Sequence, residues 1–118
     1  MQEIFEMAER LGQSLARTEE YQAFRRAMDA SGDDRELAEL QSQIQTLEQE
    51  METQLRGGTQ PTEEQAKQYE DVFSRLQANS TYQRLVAAQA NFDKVVARVN
   101  ETIHTGIQKG AESRIILS

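Results

Sequence analysis

From Leu37 onward, apolar residues return at a fixed beat. Leu37, Leu40, Ile44, Leu47 and Met51 recur at steps of three, four, three and four, with Gln, Glu, Ser and Thr between them. This a/d spacing puts five side chains on one stripe of a helix. Such a helix over 33–56 would be roughly 36 Å long, too long for a compact core of this size to cover. It is expected to be one arm of an antiparallel hairpin.

The rest of the pattern is also helical. Ile4, Ala8, Leu11 and Leu15 predict a helix over 2–16, widened by Phe5 and Met7. Thr18 can cap a second helix over 18–30, with Tyr21, Phe24 and Met28 on its apolar face and Gly32 as a left-handed stop. Asp33, with Glu36 three residues on, predicts the capped start of the long helix. Gly57-Gly58 ends it, and Pro61-Thr62 with Gln65 starts a fourth helix over 62–78. Folding the chain at Gly58 pairs Met51, Leu47, Ile44 and Leu40 with Ala66, Tyr69, Phe73 and Leu76. Val72 is left beside that seam.

Asn79-Ser80, with Gln83 three residues after Ser80, is either a cap that restarts the helix or a polar spot within a continuous one; a short break or kink is expected, leading into a last helix over 80–105. It carries a broad stripe (Leu85, Ala88, Phe92, Val95, Val96, Val99, Ile103) and a smaller second one (Val86, Ala90, Ala97). A helix apolar on two sides usually has two neighbours. Helices one and two are expected to take the first side. Val72, Val86, Ala90 and Ala97 form the candidate self-association face, and a homodimer is expected. Gly106 and Gly110 are expected to loosen the chain before the apolar tail Ile115, Ile116, Leu117. The segments Thr18 to Phe24 and Asn79 to Leu85 echo each other, which two good helix starts explain.

The fold class is therefore all-α: a long antiparallel helical hairpin, with short N-terminal helices packed against the C-terminal helix. The 118 residues are expected to form one domain, with N-terminal helices in 1–32, the hairpin in 33–78, and the C-terminal helix and tail in 79–118. Seven aromatics, no Trp and one Pro argue against an all-β alternative, which needs many turns.

Charge and chemistry narrow the function. Of a formal net charge of −7, residues 33–52 contribute seven acids and one base. That surface repels phosphate, so neither direct nucleic-acid binding nor membrane binding is expected. No apolar run approaches the roughly 20 residues that span a bilayer, and the first residues lack a basic region before an apolar run. A cytoplasmic protein is expected. The absence of Cys excludes disulfides and thiolate chemistry. No cofactor or metal site is indicated. The lone His104 lies near the expected end of the last helix, where it would complement the dipole. Acidic pairs such as Glu63-Glu64 stand at helix starts, and Arg25-Arg26 is explained by an ion pair to a Glu of the first helix. No nucleophile with a positioned base is present, so no catalytic residue is assigned and an enzyme is not expected.

Several stretches carry a resemblance. They are Ala8, Leu11 and Leu15, then Thr18-Glu19-Glu20-Tyr21-Gln22 with Phe24 and Ala27. The helix start Asp33-Asp34-Arg35-Glu36-Leu37, the Gly57-Gly58 break, the Pro61-Thr62 restart and the stretch from Asn79 to Ala90 complete it. Together these resemble the YlbF/YmcA family of small bacterial helical proteins. The resemblance implies an all-α, often dimeric protein that acts through protein partners. Its best-known members assemble with each other and a third protein, in a complex linked to messenger-RNA maturation by an endoribonuclease and to competence, sporulation and biofilm formation. They hold iron–sulfur clusters through Cys, so that role does not transfer, and this chain resembles the cysteine-free branch. The expected function is a non-catalytic adaptor within a complex affecting RNA processing or developmental control. The alternative is a prefoldin-like helical-arm chaperone subunit, although 57–61 leaves no room for that family's β-hairpin.

Overall fold

A computed structural model of the chain describes the backbone from residue 1 to 117 and the side chains from 1 to 112. Five helices follow one another: α1 (Gln2–Ala16), α2 (Glu19–Gly32), α3 (Arg35–Arg56), α4 (Glu63–Ala78) and α5 (Ser80–Leu117). The described residues contain no strand.

Side-chain caps set most of the boundaries. Thr18 Oγ1 accepts from the Tyr21 N–H at 3.1 Å and starts α2. Asn79 does the same for α5, accepting from the Tyr82 N–H at 2.9 Å. The sequence echo between these two segments is thus a shared way of starting a helix. Thr62 and Gln65 form a reciprocal capping box at 3.0 and 3.1 Å. The start of α3 differs from expectation by one residue: Asp34, not Asp33, accepts from the Leu37 N–H, at 3.0 Å. Asp34 has the extended backbone that an N-cap requires, and its third following residue is Leu37 rather than Glu36.

Two expectations about glycine need correction. Gly32 is the last residue of α2, and the one positive φ among the described glycines belongs to Gly58, at 82°. There the chain closes α3 with paired bonds: Gly58 N–H to the Leu55 carbonyl, and Thr59 N–H to the Gln54 carbonyl at 2.8 Å. This is the Schellman arrangement that glycine favours. Gly106 and Gly110 do not loosen the chain, because α5 runs through both to Leu117. A helical Gly costs only about 1 kcal/mol relative to Ala, and the neighbouring Gln108, Lys109 and Ala111 are good helix formers. His104 therefore lies 13 residues before the helix end and does not complement its dipole.

The chain divides into two compact units. One comprises residues 25–87, and the other joins residues 1–24 with 88–118. α2 and α5 each run through both.

The 25–87 unit is built on the α3/α4 hairpin. Its core is Leu37, Leu40, Leu47, Val72 and Leu76, with Ile44, Tyr69 and Tyr82 packed against it. Leu37 is completely buried. The α3 stripe is the one expected. The α4 stripe is rotated by about 50°: Val72 is 7% exposed and belongs to the core, whereas Phe73 is 39% exposed. Two polar contacts accompany this rotation. The Tyr69 hydroxyl donates to Glu48 Oε1 at 3.1 Å, and the Asn79 amide donates to Asp34 Oδ2 at 3.5 Å. Phe73 instead stacks on Tyr69 at the seam edge, with ring centroids 6.0 Å apart.

In the other unit, Phe92 of α5 receives Tyr21 edge-on at 5.1 Å and Phe24 face-on at 6.2 Å. This fulfils the expected contact of α2 with the broad stripe of α5. α1 differs, for it contains no buried residue.

Candidate interaction surface

The apolar surface left uncovered by the 1–24/88–118 unit is its most informative feature. On α1, Ile4, Phe5 and Met7 are 57%, 62% and 57% exposed. Ile4 and Met7 share the stripe of Leu11, so the first turns of this amphipathic helix have an uncovered apolar side, while Leu15 near its end is half-buried. On α5, Ile103 and Ile107 continue the broad stripe one and two turns beyond Val99, and both are exposed. Leu11 faces Val95, Arg98, Val99, Thr102 and Ile103 across an open groove of about 330 Å³. Five of those six residues come from α5. Clustered exposed apolar side chains are a common mark of interaction sites.

The four residues predicted for self-association separate. Val72 is enclosed in the hairpin core and offers no surface. Val86, Ala90 and Ala97 lie exposed on one face of α5, with Val86 at 47%. Ala90 and Ala97 carry little apolar area, but small side chains admit a close helix approach. The α1 stripe was predicted as a packing face, and its exposure is what sequence reasoning missed. Periodicity identifies an apolar side without saying what covers it.

The electrostatics are those of a solvated surface. Apart from half-buried Asp34, the α3 acids Glu36, Glu39, Glu48, Glu50 and Glu52 and the preceding Asp33 are all exposed. The one ion pair among the described residues is Arg56 to Glu52, 2.7 Å apart within α3. Arg25 and Arg26 are exposed. The Leu37 N–H holds the Asp34 carboxyl below its usual range, helped by the Thr81 and Asn79 side chains. The hydrogen bond to Glu48 raises the Tyr69 phenol, because ionisation would break it. Among the described residues, no three His, Cys, Asp or Glu side chains gather as a metal site would require. Among the described residues, no helix is long and apolar enough to cross a membrane.

The family described as control of competence regulator ComK, YlbF/YmcA, matches residues 4–108. The chain belongs to the YlbF/YmcA family. The match takes in α1 and most of α5, so both helices that carry the uncovered surface are part of the family pattern. Among curated YlbF/YmcA-like relatives, a UPF0342 protein of Limosilactobacillus reuteri (strain DSM 20016) is 24% identical over 105 residues, covering 89% of this chain and 85% of its own length. A UPF0342 protein of Leuconostoc citreum (strain KM20) is 21% identical over 100 residues, covering 85% of each chain. The description of the YlbF/YmcA family gives it a regulatory role in control of ComK.

Proposed function

We propose that this YlbF/YmcA protein is a non-catalytic, cytoplasmic adaptor. It self-associates and holds protein partners in a regulatory complex that bears on RNA processing or developmental control in bacteria. The observation that carries this reading is the uncovered apolar surface of α1 and the outer part of α5. Exposed Ile, Phe and Met side chains gain from being covered at about 25 cal/mol per Å² of apolar area removed from water. The regulatory role of the family supports the same reading. Two faces are available to partners: the α1/α5 groove, and the stripe of Val86, Ala90 and Ala97, where another helix can approach closely. The acidic hairpin arm does not itself hold RNA, since its exposed carboxylates oppose phosphate.

Affinity capture of the full chain from its native cell tests the proposal. Co-purification of a defined complex containing a ribonuclease supports it, provided Leu11→Asp or Ala97→Glu reduces recovery. Recovery of a broad set of unfolded clients would replace the adaptor with a chaperone. Salt-sensitive RNA binding by the purified protein in a gel shift would overturn the exclusion of RNA.

A further inference from the structure

We infer that the hairpin has a docking flank of its own: the stacked rings of Tyr69 and Phe73, bordered by Glu48 and Glu70, take an arginine-bearing amphipathic helix of a protein partner. This adds the chemistry of a partner to the adaptor reading, on which it rests. The flank lies wholly within the 25–87 unit and shares no residue with the α1/α5 surface. Its two rings are 6.0 Å apart and nearly parallel, and Phe73 is 39% exposed. The Tyr69 hydroxyl donates to Glu48 Oε1 at 3.1 Å, which holds the ring in place. The pair is thus ordered before a partner arrives, and docking on it costs little side-chain entropy. Half-buried Ile44, exposed Ala66 and exposed Leu55 lie within about 40° of Glu48 or Phe73 on their own helices. Ile44 to Leu55 covers about 17 Å, or about three turns of a docking helix.

Charge decides what the occupant is. Glu48 is exposed, and so is Glu70, about 60° from Phe73 around α4. The whole hairpin from Arg35 to Ala78 holds nine acids against four bases. Arg56 is bound to Glu52, 2.7 Å away. Arg35 stands about 140° from Glu48, and Lys67 and Arg75 about 120° and 160° from Phe73. Covering Phe73 with a neutral apolar surface would take two carboxylates out of water with nothing to pair them. A second hairpin would bring like charge, and phosphate is repelled for the same reason. A guanidinium meets both needs, because it stacks on an aromatic face and pairs with carboxylates through its planar fork. The apolar side of the helix that carries it covers Ile44 and Leu55.

Fluorescence anisotropy on the full chain at physiological salt tests this, with a labelled Leu/Arg amphipathic peptide of about 18 residues as the probe. Glu48→Gln with Glu70→Gln should weaken binding about tenfold. The Glu48→Gln carboxamide still accepts from the Tyr69 hydroxyl, so the rings keep their place. Glu39→Gln with Glu50→Gln changes the net charge equally on the far side of α3 and should leave binding within about twofold. Phe73→Leu keeps an apolar side chain without the ring and should weaken binding about fivefold, with helix content checked by circular dichroism. A Leu/Lys peptide should bind several-fold more weakly than the Leu/Arg one. The inference is overturned if the far-side pair costs as much as Glu48 with Glu70, if Phe73→Leu binds like the wild type, or if the Leu/Lys peptide binds equally well. Absence of binding at a concentration on the order of tens of micromolar also overturns it. In the native cell, a photo-crosslinking amino acid in place of Phe73 should label a basic segment of a partner. Labelling of an acidic or uncharged segment, or of a second copy of this chain, would again overturn it. Capture of a native complex that Leu11→Asp disrupts would then leave the adaptor reading standing.

Discussion

The side-chain amide of Asn79 donates to the carboxylate of Asp34, and each residue caps a different helix. One hydrogen bond therefore ties the start of α3 to the junction of α4 and α5. The Leu37 N–H, and with it the Thr81 and Asn79 side chains, bond the ionised carboxylate better than the neutral acid, which is why its pKa is lowered. A depressed carboxylate stabilises the fold above its unfolded pKa, and this contribution is lost as pH falls through the folded value, below about pH 4. Asp34→Ala is expected to lower the thermal midpoint at neutral pH. Its difference from the wild type should shrink as pH falls through the lowered folded-state pKa. A difference that stays constant across that range would refute the role of the charge.

Val72 and Phe73 are neighbours with opposite surroundings. Val72→Asp puts an unpaired carboxylate in the hairpin core and should unfold the 25–87 unit or cost several kcal/mol, roughly 3 or more. Phe73→Asp should cost about 1 kcal/mol, since the ring lies at the seam edge. Urea denaturation followed by circular dichroism compares the two, and equal losses would contradict the rotated seam.

The two glycines of the hairpin turn should behave differently. Gly57 has φ −80°, and an added Cβ would meet the Gln54 and Thr53 carbonyls at an ordinary 3.6 Å. Gly57→Ala is therefore expected to be neutral or to stabilise by about 0.5 kcal/mol. Gly58 has φ 82°, so Gly58→Ala should cost about 1–2 kcal/mol. Chemical denaturation midpoints decide between equal and opposite effects.

Gly106 and Gly110 lie inside α5 with nothing near an added Cβ. Replacing both by Ala should raise stability by about 0.5–1 kcal/mol each and slow amide exchange over 100–112. Unchanged exchange there would mean that the outer end of α5 is not helical in solution.

Leu37→Ala removes the most deeply buried side chain and should cost about 3 kcal/mol. Thr62→Ala removes one half of an exposed capping box and should cost about 1 kcal/mol. A stability ranking that reversed the two would place the weight of the hairpin on its caps instead of its seam.

Local signals in the sequence determined five helices, the hairpin and the α3 stripe, because they act through the nearest few residues. Thr18 and Thr62 bond to N–H groups three residues on, and Gly58 takes a conformation other residues avoid; at the start of α5 the cap is Asn79 instead of the expected Ser80. Leu37 to Leu47 keep a period that only one helix face can satisfy. Whether Val72 or Phe73 enters the core was decided by tertiary structure. Both border the stripe of Tyr69 and Leu76, and which of them is enclosed depends on how α4 packs against the distant residues of α3. The uncovered state of α1 was equally invisible. Its apolar period is as regular as that of α3, yet a period records only that a face avoids water. What a neighbour covers depends on where the chain returns, and the first turns of α1 are left with Ile4, Phe5 and Met7 exposed.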